Sequence, residues 1–106
     1  MLKFVVVLYK LPDLSEAGFV KYLCEVHGPM AVKIPGLRKY KQNYPLKDEM
    51  RKHPGWNAVV ELYFDDWDGM EAAWRTPEGV AATADLVKFA DLGRTTWSAV
   101  EERIVR

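Results

Sequence analysis

The 106-residue chain has a single cysteine, Cys24, so it can form no internal disulfide and no cysteine-based zinc site. Net charge is lacking as well: 15 lysines and arginines balance 15 aspartates and glutamates. A balanced chain without a basic cluster has no electrostatic footprint for nucleic acid or an anionic membrane, so neither is expected as a partner. Long apolar runs are also absent. The longest, Phe4 to Tyr9, is far short of the roughly 20 residues that span a bilayer. Met1-Leu2-Lys3 leads into it with no cleavage pattern, so it reads as a first strand and not a signal peptide. A cytoplasmic location is expected. No phosphate loop, dinucleotide fingerprint, HExxH pair or nucleophile elbow occurs. An enzyme built on this chain therefore works by side-chain acid–base chemistry, through the substrate's own reactivity, or with a haem docked on one histidine.

What is present is 49% apolar residues, enough for one globular domain over 1–106. Residues 2–9 are β-branched and aromatic over a strand's length. Leu2, Phe4, Val6 and Leu8 share one face, and Val5, Val7 and Tyr9 the other, so both faces need cover. Ser15 is placed to cap a helix over about 16–26, with Phe19, Tyr22, Leu23 and Val26 on its buried stripe and His27, four residues after Leu23, near that stripe if the helix persists so far. Gly28-Pro29 disturbs that helix, and Met30 to Ile34 adds a further turn before Pro35-Gly36. Leu37 to Tyr44 reads as a second strand with Arg38, Tyr40, Gln42 and Tyr44 on one face. Residues 45–55 are a polar, proline-bounded loop carrying His53, and Trp56 to Phe64 is a third strand. Asp65, Asp66 and Asp68 precede a helix to about Arg75, where capping explains them better than metal binding. Thr76-Pro77-Glu78 starts another helix to about Phe89 or Asp91. Thr95 to Val105 is a fourth strand.

The order β-α-β-β-α-β predicts an α+β ferredoxin-like sandwich with a four-stranded antiparallel sheet. The sheet's second face predicts a homodimer, sheet against sheet.

His27, Gly28, Pro29 and Met30, followed by the run Ile34 to Tyr40, resemble the EthD family of dimeric α/β-barrel proteins. The resemblance extends through Tyr63-Phe64-Asp65-Asp66 and Arg75-Thr76-Pro77-Glu78-Gly79 and covers nearly the whole chain. A related muconolactone methylisomerase carries a histidine and a tyrosine at positions that correspond to His27 and Tyr40. Arg38 stands where that isomerase has a second histidine. Related cyclases and cofactor-free oxygenases of polyketide pathways share the barrel.

The candidate catalytic residues are thus His27, suited to moving a proton near neutral pH, and Tyr40, suited to donating to a developing oxyanion. Each has a plainer alternative: a histidine that closes a helix by bonding a carbonyl, and one more sheet aromatic. Arg38 could hold a substrate carboxylate or be an ordinary salt-bridged strand residue. Trp56 and Trp74 are candidate walls for a flat ligand, though the four tryptophans are mostly expected in the core. Asn57 is a candidate polar contact if its strand face meets the pocket, and an interface residue otherwise. Cys24 reads as a buried small hydrophobe. The leading expectation is a cofactor-free, metal-free enzyme acting by isomerase, cyclase or lyase-type proton transfer on a small aromatic, lactone or enolisable substrate. The alternatives are a cofactor-independent monooxygenase and a non-catalytic ligand- or haem-binding accessory protein.

Overall fold

In a computed structural model of residues 1–106, the elements follow the order expected. Strand β1 (Leu2–Leu8) leads to helix α1 (Glu16–Tyr22), a wide helical turn (Leu23–His27) and the short helix α2 (Gly28–Ala31). Strands β2 (Lys39–Asn43) and β3 (Ala58–Phe64) follow, then helices α3 (Trp67–Trp74) and α4 (Pro77–Asp85) and strand β4 (Thr96–Glu101). The strands form one sheet in the order β2-β3-β1-β4, with every neighbouring pair antiparallel. The helices cover one face, as in the ferredoxin-like α+β sandwich.

The caps are those the sequence points to. Ser15 accepts from the Gly18 N–H, Asp66 from Gly69 and Thr76 from Gly79, at 3.0, 2.7 and 3.0 Å. Each side chain satisfies a helix donor that has no partner within its helix.

Register sorts the sheet's side chains by period two. Val6 lies opposite Val60 and Trp97, while Phe4 lies opposite Leu62 and Ala99. Val6, Val60 and Leu62, with Leu8, Ala58 and Phe64, meet Phe19, Leu23, Met70, Ala73 and Phe89 in a single core, against which Phe4 and Ala99 pack. The other face presents Val5, Val7, Val59 and Val100, all half-buried, beside a polar group centred on Lys3. The Lys3 ammonium touches Glu61 at 2.8 Å and Glu102 at 2.9 Å.

Three sequence expectations need correction. Val26 was placed on the buried stripe of the first helix, yet it is 43% exposed while His27 is 7% exposed. The cause is the wide turn. Pro29 has no N–H to offer, and the Gly28 N–H reaches back five residues to the Leu23 carbonyl. One extra residue in the turn rotates the helix surface, so His27 takes the inward position that regular spacing gives to Val26. Cys24, expected to be buried, is exposed and contacts the Tyr44 hydroxyl at 3.1 Å. Of the tryptophans expected mostly in the core, Trp67 and Trp97 are 55% and 53% exposed.

Candidate functional site

The α/β sandwich does not close completely. Between the sheet and helices α2 and α4 lies a cavity of about 530 Å³, lined by 15 residues of which 13 are hydrophobic. Sheet residues Phe4, Val6, Tyr40, Val60 and Leu62 form its floor. Ala31 and Ile34 close one side, Trp74 and α4 another, and the exposed Trp97 and Val80 stand among its lining residues. Phe4 and Phe64 hold the Trp74 ring edge-on at 5.2 and 5.3 Å, which fixes that wall.

His27 enters this cavity because of the wide turn. Its Nδ1 lies 3.0 Å from Oδ2 of Asp85, the last residue of α4, and both side chains are buried. The Tyr22 hydroxyl donates to Asp85 Oδ1 at 2.7 Å, and the Lys88 ammonium stands 3.8 Å from the same oxygen. A carboxylate held in this way can only accept, so the imidazole carries its proton on Nδ1. No protein group bonds Nε2, and no buried side-chain nitrogen or oxygen lacks a partner, so Nε2 is accessible. Burial lowers the His27 pKa below its ordinary 6.5, and the contact with Asp85 offsets this only in part. At neutral pH the ring is a neutral base with a lone pair on Nε2. Burial, and then the hydrogen bond to Asp85, push the Tyr22 phenol up to about 12.

Tyr40 reaches the cavity from β2. Its oxygen accepts from Gln42 Nε2 at 3.2 Å, and the same amide nitrogen donates to the Leu23 carbonyl at 3.0 Å. Tyr44 in turn donates to Gln42 Oε1 at 2.9 Å, which fixes the orientation of that amide. The Tyr40 proton is left free to donate. Burial raises the pKa of this phenol, so it remains a donor at neutral pH. The Gln42 amide also explains Gly28, since a Cβ there would come within 2.9 Å of both Gln42 Nε2 and the Leu23 carbonyl.

Of the residues singled out from the sequence, His27, Tyr40 and Trp74 share this cavity. Arg38, Trp56 and Asn57 are not among its lining residues. The Arg38 guanidinium makes a forked contact with Asp65, reaching 2.8 Å, on the exposed surface. Asn57 accepts from the Lys10 N–H at 2.8 Å and donates to Glu16 at 3.2 Å, tying the end of β1 to the start of α1. Trp56 precedes it, half-buried. The residue that sequence reasoning missed is Asp85. A signal was there: Ala82, Asp85 and Phe89 fall on one helical stripe, and an acidic residue among apolar ones on a buried stripe demands a partner.

Comparison with known proteins agrees with this architecture. The family model described as EthD domain matches residues 11–93. The crystal structure of an ethyl tert-butyl ether degradation (EthD) family protein from Bacillus halodurans is similar, with a TM-score of 0.81 and 32% identity over 97% of this chain and 100% of that one. A dimeric protein of unknown function and ferredoxin-like fold from Bacteroides fragilis has a TM-score of 0.68 and 21% identity over 95% of both chains. SnoaB, a cofactor-independent oxygenase from Streptomyces nogalater, is similar in fold, with a TM-score of 0.65 and 14% identity over 98% of this chain and 94% of that one.

Proposed function

The chain belongs to the EthD family, and from that premise we propose that it is a cofactor-free enzyme catalysing proton transfer on a small enolisable compound. His27 Nε2 takes a proton from carbon, Tyr40 donates to the oxygen on which charge accumulates, and His27 returns the proton elsewhere on the substrate. The observation that carries this reading is the 3.0 Å contact between His27 Nδ1 and buried Asp85, made behind an imidazole that faces an apolar cavity. The contact sets the tautomer and steadies the imidazolium as it forms. Apolar walls strengthen the hydrogen bond from Tyr40 to the developing enolate.

Solvent-deuterium exchange into aryl ketones and dicarbonyl compounds, followed by NMR, tests the reading. Wild type is expected to accelerate exchange, and His27→Gln to lose about 10²-fold or more of that rate while keeping its circular dichroism. Absence of exchange with every probe would leave a non-catalytic binding role ahead.

Deprotonation is equally the first step in an oxygenase that needs no cofactor, in which the carbanion itself reduces oxygen. The fold shared with SnoaB supports that variant. Oxygen uptake during turnover distinguishes it from isomerisation.

We also propose that the protein works as a homodimer through the uncovered sheet face. Half-buried Val5, Val7 and Val59 on that face, and the described dimer of the Bacteroides fragilis neighbour, support this.

A further inference from the structure

We propose that the cavity takes an uncharged, largely aromatic ligand with one carbonyl or phenolic oxygen set between His27 and Tyr40, and that it rejects carboxylates, phosphates and amines of the same size. This rests on the proton-transfer reading of the same site and adds the substrate class to it. No lysine, arginine, aspartate or glutamate lines the cavity. Arg38 is engaged by Asp65 on the surface, and the largely exposed Lys88 faces Asp85, so neither is presented to the cavity. Asp85 places a negative charge directly behind the one basic nitrogen the cavity offers, so an anion there would meet repulsion as well as desolvation. An amine would be desolvated with no carboxylate to receive it. Among the other polar groups, the Thr83 hydroxyl already donates to the Gly79 carbonyl at 2.9 Å. What remains is a space of about 530 Å³, in the range of sites for drug-sized ligands, walled by Phe4, Trp74 and Trp97, in which His27 Nε2 is an acceptor and the Tyr40 hydroxyl a neutral donor.

Quenching of tryptophan fluorescence reports occupancy, because Trp74 and Trp97 are wall residues. The probes are acetylnaphthalene, naphthoate and naphthylmethylamine, which share a ring system and differ in charge. The neutral ketone is expected to bind at least about tenfold more tightly than either ion, a gap of about 1.4 kcal/mol. Tyr40→Phe should weaken binding of the ketone, and Val80→Trp, at an exposed lining position, should weaken all binding. Naphthoate binding as well as the ketone would overturn the proposal, as would no saturable binding of any probe. Ketone binding without deuterium exchange would sink the proton-transfer reading and leave the ligand class standing.

Discussion

His27 Nδ1 and Asp85 Oδ2 lie 3.0 Å apart although 58 residues separate them in the chain. Because one nitrogen is bonded to a group that only accepts, the contact fixes which nitrogen faces the cavity with a lone pair. Asp85→Asn removes the charge and can present an amide donor to Nδ1, which would move the ring proton to Nε2. The expected result is a reversed tautomer in ¹⁵N NMR of the imidazole, with exchange activity down by at least about tenfold. An unchanged tautomer would assign Asp85 a purely structural role.

Burial of the same imidazole, only partly offset by Asp85, makes stability depend on pH. The native imidazole binds its proton less tightly than the unfolded chain, whose histidine titrates near 6.5. The contribution is therefore intact above that value and is lost as pH falls below it toward the lowered native pKa. In urea titrations wild type should weaken over this acid window, and His27→Gln should show a flatter profile. Equal slopes would mean that the buried ring is not the group responsible.

Gly79 packs against the last turn of α3 so closely that a Cβ would collide with the Ala73 carbonyl. Gly79→Ala should cost about 1–3 kcal/mol in chemical denaturation through overpacking, despite alanine's better helix propensity. A neutral or stabilising result would show that the two helices can part without penalty.

Gln42→Leu tests the amide that links Leu23 to Tyr40. It deletes two donated hydrogen bonds, to the Leu23 carbonyl and the Tyr40 oxygen. The expected loss is about 1–2 kcal/mol of stability together with weaker binding of the aromatic ketone, since Tyr40 is no longer held in place. Loss of stability with binding intact would mean that the sheet alone positions the phenol.

Val59→Arg, at a half-buried position on the uncovered sheet face, should convert the proposed dimer to a folded monomer at micromolar concentration in light scattering. A monomeric wild type would end the dimer proposal outright.

Much of the fold was legible because it depends on local periodicity. Strand-length runs of β-branched and aromatic residues, with period-two alternation in β2 and β3, located the strands to within a few residues, and Ser15, Asp66 and Thr76 marked the helix starts through side-chain chemistry that acts over three residues. His27 and Tyr40 were singled out by residue type, by position at element ends and by resemblance to a family. The stripe rule failed at Val26. It assumes a regular 3.6-residue turn, and the five-residue bond from Gly28 to Leu23 breaks that regularity just where His27 must face inward. Arg38 illustrates a second limit. Its strand face was read from sequence, but the Asp65 carboxylate that holds it comes from beyond the end of β3.

The sequence by itself determined the ferredoxin-like order of elements, the single core and the exclusion of an internal disulfide, because these follow from side-chain type, residue count and short-range spacing. Only the tertiary structure decided that Asp85 stands behind His27, that no lysine or arginine lines the cavity, and that Arg38 and Asn57 serve surface and strand-end contacts. Those outcomes depend on which residues α4 and β3 bring together across the sheet, and a long-range contact leaves no periodic trace in the chain that makes it.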